Sequence, residues 1–326
     1  MSSSWPTLIV PSVHSRAALL NRALTHLEAQ QFRGEIIVSD HSPRDRLDVL
    51  RDVVARHGAL RMLMLEHDPE WHFLERLADC AEACSGEYVA VHADDDFMFV
   101  EALQECAHFL EAHPDYAAAK GRMLFFRLAD GERRALSKHA GFARAEPESA
   151  TRLMRHLANF NATLYAVHRR AQFIDAYRRA LAHTSNVIFW QYLASCFTIL
   201  QGKLQVLESA FYYRIDNPAG WRATLVRERS REHWPTLILA PQFPALLQAF
   251  IGGLRQGLTS AGARIDGQLE ASVEDATIWL IRRALCGMVE HEAAAADGAF
   301  LERVATAGTV ENRLLTACIE RVLASG

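Results

Sequence analysis

Gly86-Glu87-Tyr88-Val89-Ala90-Val91-His92-Ala93-Asp94-Asp95-Asp96-Phe97 decides the fold. A run of apolar, β-prone residues stops at three consecutive carboxylates. Such a run reads as a buried strand whose C-terminal end concentrates negative charge. Neighbouring acids repel one another, and a bound cation is the usual reason a chain tolerates them. Ligands that are all oxygen suit Mg2+ or Mn2+ better than zinc. The competing reading is a solvated acidic turn after a strand.

Working outward, the same pattern recurs upstream. Thr7-Leu8-Ile9-Val10-Pro11-Ser12 is a short apolar run entering a turn, followed by Val13, Ser15-Arg16 and helical spacing through Leu19, Leu20, Leu24 and Leu27. After Gly34, Glu35-Ile36-Ile37-Val38-Ser39-Asp40-His41-Ser42 reads as a second buried strand ending at an acid. Leu60 to Leu65 reads as a third strand, and Leu47 to His57 and Phe73 to Cys84 as helices. Alternating strands and helices with short links predict a parallel, doubly wound sheet. Ligands of such sheets bind beyond the carboxyl ends of the strands. Pro11-Ser12, Asp40 and Asp94 to Asp96 all fall at such ends, so three strands deliver polar groups to one edge.

Val10-Pro11-Ser12, then Ile37 to Ser42, then Gly86-Glu87-Tyr88 running into Asp94-Asp95-Asp96 resemble, in this order, the nucleotide-sugar half of a family 2 glycosyltransferase of the GT-A fold. The resemblance spans residues 7 to 222 and implies an α/β class, a Rossmann-like, mostly parallel sheet flanked by helices. Residues 1–222 then form the glycosyltransferase domain and 223–326 an all-helical extension. The implied activity is inverting transfer of a hexosyl or related group from a nucleotide diphosphate sugar, a uridine one, to an unidentified acceptor, with Mn2+ or Mg2+ as cofactor.

In that family one acid of the Asp-x-Asp cluster contacts the ribose or sugar and another holds the metal. Carried over, the resemblance assigns Pro11, Ser12, Val13, Arg16, Asp40, Asp94 and Asp95 to the nucleotide sugar. It assigns Asp94, Asp96 and Asp216 to the metal, with Asp96 the main ligand. Asp40 is expected to accept a base N–H, which suits uracil. Asp216 lies in Tyr212-Tyr213-Arg214-Ile215-Asp216-Asn217, which resembles the family's Tyr-Tyr-Arg-x-His segment with another hard oxygen ligand in place of the His. Each has a plainer reading: a helix N-terminal charge for Asp95, an Asx turn for Asp40, a turn before Pro218 for Asp216, a solvated first-turn residue for Arg16.

One departure concerns the catalytic base. An inverting transferase needs a group to take the acceptor's proton, usually a carboxylate. Where the family has an acid, this chain has His183-Thr184-Ser185-Asn186. His183 can take a proton or serve as a cap or surface residue; Asn186 can orient an acceptor but not deprotonate it. The missing acid keeps open a second reading, a GT-A-like nucleotide-binding or scaffold protein without turnover. A nucleotidyltransferase ranks third, since Val10 to Arg16 holds no glycine for a phosphate loop. Trp71-His72-Phe73 either stacks on a base or sugar or packs in the core.

Half of the 326 residues are hydrophobic and 23% are charged, which suits one large or two modest globular domains. A net charge of −4 with interspersed signs argues against a nucleic-acid partner. The six cysteines show no Cys-x-x-Cys or zinc spacing, so reduced thiols in a cytoplasmic protein are expected. No charged leader and no apolar run of membrane-spanning length is seen. Further on, the pattern predicts a helix over Val100 to Ala112, a β-run at Met123 to Phe126, a turn at Asp130-Gly131 and a polar loop over 131–149. It then predicts a strand at Ala162 to Val167, helices from Phe173 and from Phe189, and extended stretches at Leu204 to Leu207 and Phe211 to Arg214. From Leu225 the chain reads as helices. Their apolar faces (Leu237 to Leu239, Leu246-Leu247, Phe250-Ile251; Ile278 to Ile281, Leu285, Met288) must be covered by the sheet domain, by each other or by a second subunit in a homodimer.

Overall fold

The apolar runs form the strands their composition predicts. In the computed structural model, β1 (Thr7–Ser12), β2 (Glu35–Asp40), β3 (Arg61–Glu66) and β4 (Tyr88–Val91) lie parallel, pairing Leu8 with Ile36 and Ala90, and Ile36 with Met62. The structure describes residues 5–129, 132–136, 141–215, 237, 240–286, 303 and 306–324. Five more strands extend the sheet: β5 (Phe97–Met98), β6 (Tyr116–Ala129), β7 (Glu132–Leu136), β8 (Val167–Arg169) and β9 (Lys203–Ile215). The order is β3-β2-β1-β4-β8-β6-β9-β5, with β7 paired to β6. Only β5, β7 and β8 run against the common direction, so the sheet is mostly parallel, as expected.

Strand alternation divides the interior into two layers. Leu8, Val10, Ile36 and Val38 face α1 (Ala17–Ala29), α2 (Leu47–Ala55) and α4 (Val100–Ala112). Ile9, Ile37, Val89 and Val91 face α3 (Phe73–Ala83), α5 (Ser149–Ala158), α6 (Arg170–His183) and α7 (Val187–Gln201). Gly121 sits where β6 is irregular against β9; a Cβ there would lie 2.4 Å from the Ser209 carbonyl oxygen. The close approach of the two strands therefore requires glycine.

Three expectations change. The run at Ala162 to Val167 is not a strand until Val167, because Ala166 N–H closes a turn onto the Thr163 carbonyl and Thr163 N–H goes to Ser195 Oγ. The polar loop over 131–149 contains β7, which needs only main-chain pairing to β6, and Arg144, which bridges to Leu204. Leu204 to Leu207 and Phe211 to Arg214 belong to one strand, β9. The expected turn at Asp130-Gly131 lies outside the described residues.

The C-terminal region is helical: α8 (Phe243–Ser260), α9 (Gly267–Cys286) and α10 (Val310–Ala324). Phe250, Ile251, Leu254, Leu258, Val273 and Leu280 join the layer that holds α3 and α5 to α7. Gly257 lets α8 approach closely, since a Cβ would sit 2.6 Å from Leu200 Cδ1. α10 lies on the opposite layer, where Leu314 packs and Tyr213 Oη donates to the Glu311 carbonyl at 3.2 Å. Ile278 and Trp279 are exposed rather than part of the buried face, while Leu280 and Ile281 are buried. Ile238, Leu239, Met288 and the expected domain boundary at 222/223 lie outside the described residues. No helix among the described residues is long and apolar enough to cross a membrane.

Candidate active site

β1, β2 and β4 end on one edge of the sheet, and their last residues meet there. Ser12 closes β1, and its Oγ donates to Asp94 Oδ2 at 2.7 Å. A 3-10 turn, His14–Arg16, leads into α1 and places Arg16 beside the acids. Its Nε lies 2.9 Å from both oxygens of Asp94, its Nη2 also reaches Oδ1, and the same Nη2 lies 3.0 Å from Asp95 Oδ2. Burial pushes the Asp94 carboxyl up, while Arg16 and Ser12 pull it down. Burial also opposes the charge on Arg16, but its bonds to Asp94 outweigh that and hold its proton more firmly than usual.

Asp96 points the other way. Tyr212 Oη donates to its Oδ2 at 2.5 Å, and Arg214 Nε lies 3.9 Å off. Tyr212 is buried and stacked on Tyr165, with ring centroids 4.6 Å apart. Pairing of β5 with β9 at Phe97–Tyr213 and Met98–Tyr212 brings the two segments together. The three acids are therefore splayed: Asp94 toward β1, Asp96 toward β9, and Asp95 between them, its backbone carbonyl accepting from Arg22 at 2.8 Å.

Asp40 ends β2 fully buried. Its Oδ1 accepts from Ser42 N–H at 2.8 Å, which is the Asx turn of the plainer reading, but Oδ2 has no partner. Arg76 from α3 is 5% exposed, and its Nε and Nη1 are likewise unpartnered. Burial lowers the Arg76 guanidinium to about 10, with Asp40 among the charges that oppose this. His41 is lowered to about 4 by burial and by Arg76. The Nδ1 atoms of His14 and His41 are also buried without partners. A buried polar group left unpaired costs about 1–3 kcal/mol. A cluster of them at a strand edge is the arrangement a polar ligand completes. Arg76 and His41 were not singled out in the sequence. The available signal for Arg76 was a lone arginine among the apolar positions Leu74, Leu77, Ala78 and Ala81 of α3.

The remaining residues divide. Pro11 pairs with Ser39 in the β1–β2 ladder, and the Val13 carbonyl accepts from Arg16 N–H at 2.7 Å, so both shape the turn that carries Arg16. The residue before the cap of α7, Ser185, is tied to His72 at the start of α3. Asn186 caps α7, its Oδ1 accepting from Ile188 N–H at 3.1 Å and Phe189 N–H at 3.2 Å. His183 is drawn elsewhere: its ring is 6.0 Å from Phe197, far down α7, and Nε2 is 2.7 Å from Gln256 Oε1 of α8. Two residues, Thr184 and Ser185, separate it from the cap. His72 caps α3 through Nδ1 and holds the Ser185 carbonyl through Nε2 at 3.2 Å, tying two loops of the edge together. Phe73 packs on Trp190 at 5.7 Å, whereas Trp71 is 41% exposed.

The carboxylates are hard oxygen donors, and their chemistry fits Mg2+ or Mn2+. As arranged, both oxygens of Asp94 accept from Arg16. Among the described residues no three potential ligands converge on one point, and Asp216 lies outside those residues.

Residues 7–183 match the family described as Glycosyl transferase family 2. The fold is similar to that of S. aureus TarS 1-349, solved with UDP-GlcNAc: TM-score 0.51, 15% identity, 86% of this chain and 91% of that one covered. It is also similar to GalNAc-T7, solved with UDP, GalNAc and Mn2+: TM-score 0.51, 9% identity, 79% and 55% covered. At these identities the likeness concerns the fold alone. No curated sequence matched the chain.

Proposed function

Since the chain belongs to glycosyl transferase family 2 and has the GT-A fold, we propose that it is a nucleotide-sugar glycosyltransferase whose donor is uridine-linked and whose catalysis uses Mn2+ or Mg2+. The observation that carries this reading is the convergence of Ser12, Arg16, Asp94 and the half-paired, buried Asp40 on one sheet edge.

In this reading Asp40 Oδ2 accepts a base N–H and Arg76 donates to a carbonyl of the same ring. Pro11, Ser12 and Val13 line the nucleoside side, and Asp94 and Asp95 meet the ribose or sugar. The first turn of α1 has no acid, and the Arg16 guanidinium that precedes it suits the diphosphate. Asp94 and Asp96, with Asp216, are the proposed metal carboxylates. Bound there, the cation would supply Lewis-acid help to the departing diphosphate. Asn186 would orient an acceptor. His183 would have to leave Gln256 to act as a base, and we assign it a packing role. The chain is read as cytoplasmic.

A second reading, binding without turnover, is favoured by one observation: the position of the family's acid is taken by a helix cap, Asn186. Incubation with UDP-, GDP-, ADP- and CDP-linked sugars, with and without Mn2+, separates the two. Release of sugar from a uridine donor supports transfer; binding with no release supports the second reading. Equal affinity for all four diphosphates by calorimetry would remove the base-reading role of Asp40.

A further inference from the structure

A cavity of about 780 Å3 opens on the seam between the family-matched region and the C-terminal helices. Residues of α5 and α6 line it from the first, and the end of α8 with the loop into α9 lines it from the second. Small-molecule sites usually measure about 300–1,000 Å3 and gather at seams of this kind. The cavity is not the donor edge. It touches Gln201 at the end of α7, and β9 starts two residues later but reaches Asp96 only at Tyr212. At about 3.3 Å per residue the two places stand roughly 25 Å apart.

Three arginines and one acid, Glu148, border the cavity. Arg152 is 6% exposed and donates to the main-chain carbonyls of Glu146, Pro147, Ile199 and Leu200 and, among the described residues, to no carboxylate. Arg264 is exposed and makes no ion pair among the described residues. Arg179 sits 4.6 Å over the Phe197 ring, with Nη2 3.2 Å from Ser260 Oγ of α8. It pairs with Asp175 at 3.6 Å, and that carboxylate already accepts from Gln201 Nε2 at 2.6 Å. Carbonyl dipoles and one shared carboxylate leave positive charge beside the cavity, on groups whose fork suits a phosphate or a carboxylate. Gln172 and Gln201 border the same space, and the Oε1 of each is buried without a partner. A polar atom left so is a cost, and turning either oxygen into the cavity pairs it with a ligand hydroxyl.

We infer that this cavity binds a hydroxylated anion of monosaccharide size, a sugar phosphate or a sugar acid, at a place separate from the donor edge. The arginines hold its charged group and the glutamines its hydroxyls. Because Ser260 and Arg264 come from the C-terminal part and Arg152 and Arg179 from α5 and α6, the ligand ties the two parts together. This site stands or falls independently of the donor reading above.

The test is calorimetry on the full chain with glucose 6-phosphate and glucuronate, against glucose and inorganic phosphate as controls, each with and without saturating UDP. At least one of the two anionic sugars is expected to bind about tenfold or more tightly than either control, because charged and hydroxyl bonds add. UDP should not displace it. Arg264→Gln and Arg179→Gln should each weaken it about tenfold or more and leave UDP binding as in the natural chain. Melting confirms the fold; if Arg179→Gln unfolds, the variant at the exposed Arg264 carries the test. Anionic sugars that bind no better than glucose overturn the inference, as does displacement by UDP or undiminished affinity in Arg264→Gln. Inorganic phosphate binding as tightly as the sugar phosphate overturns the sugar-sized ligand. Which of the two sugars binds tells a phosphate from a carboxylate.

Discussion

Single side chains at the site are held by bonds that serve both stability and chemistry. Tyr212 is buried and gives its hydroxyl hydrogen to Asp96, itself 1% exposed. Tyr212→Phe keeps the ring stack on Tyr165 and deletes that donor. A hydrogen bond to a charged group is worth about 1.5–3 kcal/mol, so urea unfolding should show a loss in that range. Mn2+-dependent UDP binding should weaken too, because Asp96 loses one of its fixed directions; unchanged unfolding and binding would deny the bond any role. Buried bases set the pH response. His41, His92 and His168 are lowered to about 4, in each case by burial first, and His156 well below its ordinary value. They are neutral in the fold but take protons when unfolded below about pH 6.5, so stability should fall as pH drops from about 6.5 toward 4. Lys120 is lowered to about 7 by burial and by Arg144. Between its folded and ordinary values only the unfolded chain binds that proton, so stability should rise from pH 7 to about 10. Lys120→Met should flatten this alkaline rise in denaturant midpoints; an unaltered rise would show that Lys120 does not cause it.

At the scale of elements, legibility followed how many interactions set each one. β1, β2 and β4 carry apolar residues on both faces because helices cover both, and such runs cannot be mistaken for loops. Asp40 and Asp94 to Asp96 were legible for the same reason: an acid after such a run stands out. β7 was not, since a hairpin strand added at the sheet's margin needs only backbone pairing. The strand expected at Ala162 failed because the side-chain hydroxyl of Ser195, 32 residues away, takes the Thr163 N–H. Arg76 was hidden because its meaning depends on Asp40 from another element. Asn186 joins element and chemistry. Asp is as good an N-cap as Asn and is favoured by the helix dipole. Asn186→Asp should therefore keep the unfolding free energy within the usual surface range of about 0.5 kcal/mol. It would place a carboxylate where the family has its acid. If Asn186 faces the acceptor, release of sugar from a uridine donor should rise and gain a pH dependence; an unchanged rate would put the acceptor elsewhere.

Across the whole molecule, the C-terminal helices hold both layers of the sheet. α8 and α9 place Phe250, Leu254, Leu258, Val273 and Leu280 in the layer of α3 and α7, while α10 packs Leu314 on the other layer and meets Tyr213, next to the Tyr212 that holds Asp96. Each fully buried large apolar side chain contributes about 1.5–3 kcal/mol. Several together exceed a substantial part of the roughly 5–15 kcal/mol by which domains are stable. Ending the chain before Phe243 would therefore uncover a core face, and that product should aggregate or lose cooperative unfolding. Ending it after Cys286 removes α10 together with the segment before it. This shorter cut should leave a folded protein with a lowered melting point and weaker Mn2+-dependent UDP binding, because β9 loses its backing at Tyr213. The exposed Ile278 and Trp279 of α9 remain in that protein, so sedimentation separates assembly from site support. A homodimer formed through them should survive the shorter cut, and Trp279→Glu in the full chain should convert it to a monomer. Full nucleotide affinity and an unchanged melting point after the shorter cut would show that α10 supports neither the strand nor the site.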